Sequence, residues 1–192
     1  MRTEELSGVK IKGSGLATTM RVVKNLYGER AHDRVVSGLP EATRLLLDQT
    51  LVSEWYPIEH VGLVMAAIKA SLGEEHPNVI HEVSTGAARA AVNLLYRAFF
   101  KFGSPNYLVK RVAAVWRTMC TAGKLEVIES EPRHVVLRLS EFPYVNADYC
   151  QQRLTGWMRA YLELSGCKSL DIEHPSCTSR GHPHCIWHIR WA

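Results

Sequence analysis

The sequence predicts an α+β fold, with an antiparallel sheet of about four strands, helices packed on one face of it, and a helix-rich N-terminal half. Two observations carry this prediction. Apolar residues recur at helical spacing through most of residues 1–123, and the period then changes to two over 124–139. A long helical segment separates this alternating stretch from a second one at the end of the chain. We therefore predict a single domain, 1–192, with a helical part, 1–123, and a hairpin-helix-hairpin part, 124–192.

Glycine and proline residues divide the helical part into segments. A short alternating piece at 9–12 precedes a helix over about 15–28, which a glycine closes. Trp55-Tyr56-Pro57 interrupts the helical pattern. The further predicted helices cover residues 29–38, 40–49 and 58–72, one or two segments within 76–102, and a segment from about 104 to 123.

The C-terminal part alternates between strand and helix patterns. Apolar residues at every second position on both sides of 131–133 predict a β-hairpin. A helix is predicted at 145–165, followed by strands at 167–174 and 184–192. This order of hairpin, helix and hairpin is the basis for the four-stranded sheet.

Composition excludes several classes of protein. The chain is 46% hydrophobic and 22% charged, as in ordinary globular domains, and its net charge of +4 comes from scattered basic residues without an aromatic platform. We therefore expect no nucleic-acid partner. No apolar run approaches the roughly 18 residues of a membrane span, and the charged start lacks the apolar stretch of a signal peptide. The expected location is the cytoplasm.

Four residues near the C-terminus form a candidate metal site: Cys150, His174, Cys177 and Cys185. Thiolate and imidazole are preferred ligands of tetrahedral zinc, and five cysteines without an export signal favour reduced thiols. A helix from Cys150 to Ser165 would run about 22 Å, and a strand from Cys167 to His174 about 23 Å. The strand would thus return His174 to the level of Cys150. We predict a structural zinc, because four protein ligands leave no open position.

Two alternatives to this quartet stay open. His182 or His184 could replace His174 or Cys150 among the ligands. The cysteines could instead be small buried hydrophobic residues, with His174 capping a turn.

The same residues resemble the four-vinyl-reductase domain family, which ends in a cysteine, a glycine-aromatic step, an acidic residue before a second cysteine, a glycine turn and a last cysteine. Here Cys150, Gly156-Trp157, Cys177, Gly181 and Cys185 follow that order. The aromatic-sensing input domains of phenol- and toluene-responsive transcription activators belong to the family and bind zinc through three cysteines and a glutamate. The histidine at position 174 stands where that glutamate is expected.

Residues elsewhere are similar to an uncharacterised, helix-rich bacterial branch of the same superfamily, namely Trp55-Tyr-Pro57, Ser104-Pro105, Val115-Trp116 and Trp191. That superfamily also includes haem nitric-oxide sensors and subunits of a vesicle-tethering complex. The resemblance implies a small-molecule-binding or protein-interaction fold, commonly a homodimer, with reductase chemistry in only some members.

Aromatic residues on different helices are candidates for the wall of an apolar ligand cavity: Tyr96, Phe99, Phe100, Trp116, Trp157 and Tyr161. The alternative is a filled interior, since aromatic residues at helical spacing are more often plain core. His60 opens an apolar helix and could ligate iron by analogy with the haem sensors, although a structural histidine is the more frequent case.

The predicted function is a stand-alone sensing domain that binds a small apolar or aromatic molecule, carries a structural zinc and signals by contact with a protein partner. Phosphate-binding, dinucleotide-binding and nucleophile-elbow motifs are absent from the sequence, which disfavours an enzyme. Two alternatives are a dimeric interaction scaffold with a filled core and a reductase-type enzyme with an exogenous cofactor.

Overall fold

A four-stranded antiparallel sheet forms the C-terminal layer of the fold, and its strands follow the order β3-β4-β6-β5. The computed structural model describes residues 8–92, 107, 109, 111–144 and 146–192. Within them the strands are β1 Lys10–Lys12, β2 Trp55–Pro57, β3 Lys124–Glu131, β4 His134–Ser140, β5 Asp171–Ser176 and β6 Cys185–Arg190.

The helices precede this sheet in the chain or connect its two hairpins. Within the described residues they are α1 Ser14–Tyr27, α2 Glu29–Ser37, α3 Glu41–Asp48, α4 Glu59–Leu72, α5 Val79–Ala91, α6 Val112–Met119 and α7 Thr155–Leu164, and a π-helix at Asp148–Leu154 runs directly into α7. The predicted α+β class is confirmed. No helix in this part of the chain has the length and apolar character to cross a membrane.

Alternation along β6 explains why one sheet face is covered. Cys185, Trp187 and Ile189 are buried, whereas Arg190 is exposed. The indole Nε1 of Trp187 donates to Thr155 Oγ1 at 3.1 Å, which joins the covered face to the start of α7. A period of two thus buries one side of the strand against the helix layer.

Helices α5 and α7 approach closely at Gly156. A Cβ atom there would lie 2.8 Å from the His81 carbonyl oxygen and 3.0 Å from Thr85 Oγ1. Thr85 Oγ1 also donates to the Gly156 carbonyl oxygen at 3.2 Å. Since only glycine leaves this space, the glycine before Trp157 has a packing role.

The N-terminal strand β1 belongs to a separate two-stranded sheet with β2. Ile11 pairs with Tyr56 in that sheet and forms an isolated antiparallel bridge with Cys120 at the end of α6. The segment around Trp55, which the sequence suggested only as an interruption, therefore ties the start of the chain to the helices.

Two irregularities depart from the predicted elements. The predicted helix 145–165 is π-helical over its first part, where hydrogen bonds reach five residues back and the turn is wider. The strand predicted at 167–174 is β5, which has a register irregularity between Glu173 and Ser176. Pro175 lies inside that irregularity and has no N–H for the strand ladder.

Candidate functional site

Three of the four predicted metal ligands converge. Cys185 Sγ lies 3.7 Å from Cys150 Sγ and 3.7 Å from Cys177 Sγ, and all three side chains are buried. They come from the π-helix, the turn after β5 and the start of β6. The π-helix and the second hairpin thus bring Cys150 next to Cys177 and Cys185, which together form the cysteine cluster.

Hydrogen bonds within the cluster separate the acidities of its thiols. The bond with Cys150 lowers the pKa of Cys185 well below its usual range, and the Thr178 N–H also donates to Cys185 Sγ at 3.4 Å. The same bond and burial raise the pKa of Cys150. The thiols of Cys185 and Cys150 therefore differ in acidity, with the pKa of Cys185 lowered and that of Cys150 raised.

The imidazole of His174 lies at the edge of the cluster, where its interaction with the Cys185 thiol is one of the causes that lower the pKa of Cys185. Its ring stacks on Trp187 with centroids 4.3 Å apart and planes 5° from parallel. Its two nitrogens are buried and make no hydrogen bond of normal geometry. Among the described residues, neither His174, His182 nor His184 belongs to the group whose ligand atoms lie within 4.8 Å of one another.

Two adjoining cavities lie between α6, α7 and the covered face of the sheet. Their volumes are about 90 and 70 Å³. Four residues line both: Val112, Val115, Met158 and Tyr161. The first cavity is also lined by Ile11, Trp116, Met119, Cys120, Leu125, Tyr149, Arg153, Leu154 and Trp157.

Three aromatic residues predicted to contact a ligand therefore surround one cavity: Trp116, Trp157 and Tyr161. Ligand contact by these residues stays a prediction. The other three, Tyr96, Phe99 and Phe100, lie outside the described residues.

Trp116 is fixed in the cavity wall by two kinds of contact, the hydrogen bonds of its indole N–H and the packing of its ring. Its Nε1 donates to the carbonyl oxygens of Ala122 at 2.8 Å and Gly123 at 3.1 Å. Its ring meets Phe142 edge-on at 5.4 Å. Such double anchoring prevents the ring from rotating into the empty space beside it.

Trp157 and Tyr161 stand one helical turn apart on α7, with their rings edge-to-face at 5.5 Å. Burial raises the pKa of Tyr161, so its hydroxyl stays protonated at neutral pH. The Trp157 Nε1 is buried and has no hydrogen-bond partner within the described part of the chain. The cavity wall thus contains an indole donor without an acceptor.

Arg153 contributes a charge to this apolar wall and was not predicted from the sequence. The side chain is 2% exposed, and its Nη2 donates to the Gly15 carbonyl oxygen at 3.2 Å. The guanidinium carbon lies 6.0 Å from the Tyr149 ring centre and 5.8 Å from that of Trp157. A signal was present, because Arg153 precedes Trp157 by four residues and so shares its helix face.

No family model matches the chain, and no curated protein does. Solved structures do match, and they are H-NOX domains. One is a haem protein studied for the effect of porphyrin distortion on haem redox potential, with a TM-score of 0.66 and 12% identity, covering 94% of this chain and 100% of that one. An oxygen-binding H-NOX domain related to soluble guanylate cyclases has a TM-score of 0.65 and 13% identity over 94% of this chain and 95% of its own. An Fe(II) unliganded H-NOX protein from K. algicida has a TM-score of 0.62 and 11% identity over 95% and 97%.

The chain therefore has the fold of H-NOX domains. At 10–14% identity this likeness concerns the fold. The four-vinyl-reductase family and the helix-rich bacterial branch are not confirmed.

The prediction of zinc as a structural cofactor is wrong. The structural neighbours are haem proteins, so zinc is not the cofactor of this fold. Cys150, Cys177 and Cys185 form the group of converging thiols among the described residues. The thiols instead hydrogen-bond with one another and with their threonine and serine neighbours.

Haem, which the fold implies, does not fit the residues around the cavities. All nine histidines of the chain lie in the described residues, and none lines either cavity. His60, the residue considered for iron, has its Nδ1 3.1 Å from Thr43 Oγ1. A cavity of about 150 Å³ accommodates a single benzene ring. The larger of these two adjoining cavities, about 90 Å³, is too small for a four-ring macrocycle.

Proposed function

We propose that this chain is a sensing domain for a compact apolar or aromatic molecule that binds in the two adjoining cavities. The observation that carries the proposal is a pair of nearly all-apolar spaces where α6 and α7 meet the sheet. Protein interiors are close-packed, and voids larger than a water molecule are few. A void of this kind with an aromatic wall is a default site for a small ligand.

Ligand size follows from the space. The residues common to both cavities, among them Val112 and Val115, form an apolar junction between them. A molecule the size of one substituted ring would span this junction after small side-chain adjustments. Larger polycyclic molecules would have to separate α6 from the sheet.

Signalling would use the elements that the ligand touches. A ring between α6 and α7 would press on helices that also contact the sheet and α5. We propose that the signal passes to a protein partner, and we retain the homodimer as a prediction. Light scattering at micromolar concentration tests it, and a 21.6 kDa species alone would reject it.

An enzyme has less support than a sensor. Among the described residues that line the two cavities, the single charged side chain is that of Arg153. General acid–base catalysis needs a positioned group that exchanges protons near neutral pH, and a guanidinium does not provide one.

Calorimetry and thermal melts with toluene test the proposal. At a hundredfold excess over Kd, a bound ligand stabilises the native state by about 2.7 kcal/mol, which raises the Tm of a domain of this size by several degrees. Val112→Phe should fill the junction and abolish the shift. Val52→Phe is the matched control, since Val52 is 59% exposed and lines neither cavity. Wild-type protein with neither a shift nor binding heat would overturn the proposal.

A further inference from the structure

The Arg153 guanidinium is a positive charge buried beside an apolar cavity. Within the described residues no carboxylate oxygen lies within 4.0 Å of it. The acidic residues outside that part of the chain are Glu4 and Glu5. A buried ion is strongly destabilised unless a charge or good hydrogen bonds compensate it.

The contacts of Arg153 compensate this charge in part. The Gly15 carbonyl accepts one of its five N–H bonds, the Tyr149 side chain is a second hydrogen-bond partner, and two aromatic rings face the guanidinium. Gly15 also provides the space, because a Cβ there would lie 3.1 Å from Arg153 Nη2. A guanidinium can bind a planar acceptor through two parallel bonds, and these contacts do not use that capacity.

A second donor on the same cavity wall lacks an acceptor. The Trp157 Nε1 is buried without a partner, and the Trp157 ring lies beside the guanidinium. No aspartate or glutamate lines the cavity within the described residues. The wall thus combines two kinds of N–H donor with apolar surface, and what it lacks is an anionic acceptor.

We propose that the sensed molecule is a compact aromatic carboxylic acid, bound as its anion, with the carboxylate on Arg153 and Trp157 Nε1 and the ring in the apolar cavities. The inference rests on the proposed sensing function and specifies its ligand class. Carboxylate is favoured because it is planar, accepts hydrogen bonds only and matches the guanidinium fork. The apolar cavities accommodate the ring of such a molecule, but they could not accommodate a second charged group.

The first experiment compares benzoate with nitrobenzene on wild-type protein at pH 7 by titration calorimetry. The two molecules have nearly the same size and shape, and benzoate carries the charge, since carboxyl groups ionise well below pH 7. We expect benzoate to bind about 10- to 100-fold more tightly, the range of a charge-assisted hydrogen bond. Equal affinities would overturn the carboxylate inference and leave the sensing proposal intact. Binding of neither molecule, nor of toluene, would overturn both.

Variants then assign the preference to residues. Arg153→Met should remove the benzoate advantage while nitrobenzene still binds, and Arg153→Lys should restore part of it, as a point charge without the planar fork. Arg159→Met is the control, because Arg159 is on the same helix, pairs with Glu163 and lines neither cavity. An unchanged benzoate preference in Arg153→Met would overturn the inference.

A milder variant keeps the test decisive if Arg153→Met does not fold. Trp157→Phe retains the ring and removes the indole N–H, so benzoate affinity should fall several-fold and nitrobenzene affinity should not. Equal losses for both molecules would show that Trp157 contributes only its ring surface and would contradict the proposed carboxylate contact.

Discussion

The cysteine cluster and the apolar cavity both use residues of one continuous helical segment. They differ in how far their polar atoms have hydrogen-bond partners. The sulfur of Cys185 has partners, because it contacts two other thiols and the Thr178 N–H. Around Arg153 there is empty space, and a guanidinium and an indole N–H have few acceptors. Residue type drew attention to the first region, but missing partners point to the second. A binding site is better recognised by unmet chemistry than by ligand-type residues.

The π-helix explains why Cys150 and Trp157 belong to different regions. Its wider turn changes the direction of Cys150 relative to the residues of α7. Cys150 therefore contacts Cys185, whereas Trp157 packs in a separate cluster with Ala88 and Ala160. A regular helix would have placed Cys150 and Trp157 on one stripe, as their spacing of seven suggests.

The largest expected change in stability distinguishes a tryptophan of the cavity wall from one near the surface. Trp116→Ala should reduce the free energy of unfolding by about 3–5 kcal/mol, because a buried indole and its two hydrogen bonds are lost. Trp55→Ala is the control, since Trp55 is half-buried and its ring meets Lys12 Nζ at 4.3 Å, a contact worth about 1 kcal/mol. Urea denaturation measures both, and similar losses would contradict the assigned burial.

A change in the cysteine cluster should have an intermediate effect. Cys185→Ser should cost about 1–3 kcal/mol, because two thiols and the Thr178 N–H lose their common partner. Cys167→Ser, at a buried cysteine outside the cluster, should cost less. Dialysis against a strong zinc chelator should leave the Tm of the wild type unchanged. A large drop in Tm would contradict the conclusion that zinc is not a structural cofactor.

Alkaline pH should destabilise the folded state through a tyrosine that packs against the cavity wall. Burial raises the pKa of Tyr144 to about 12, and Tyr144 packs edge-on against Tyr149 of the cavity wall. A folded-state pKa above the unfolded value of 10.0 gives stability that is complete below pH 10 and is lost as pH rises toward 12. Tyr144→Phe should reduce this loss by up to about 2 kcal/mol in urea melts across pH 9–12. A parallel pH profile in the variant would refute the role of Tyr144.

The smallest change tests the link between the two halves of the fold. Gly15→Ala should alter stability by less than about 1 kcal/mol, because a helical alanine offsets part of a tight contact with Arg153. The displaced guanidinium should nevertheless lower benzoate affinity several-fold, with nitrobenzene unaffected. Calorimetry on both molecules measures this, and unchanged benzoate binding would mean that the Arg153 position is not critical.

Sequence patterns predicted what depends on period and chain length. The alternation in β6 and the convergence of Cys150 on Cys185 follow from such local rules. The stacking of His174 on Trp187 was not predicted, because a contact between side chains of two strands depends on tertiary packing. Arg153 was overlooked because arginine is usually exposed, and only tertiary packing shows that this one is not.

The isolated bridge from Ile11 to Cys120 has a consequence for biosynthesis. As the ribosome extends the chain, Ile11 can pair with Tyr56 early, but its other contact waits until Cys120 has emerged. Ile11 and Tyr161, which are separated by most of the described chain, both line the first cavity. The cavity therefore forms only after the ribosome has passed Tyr161, and a molecule that binds there cannot guide the folding of the helices made before it.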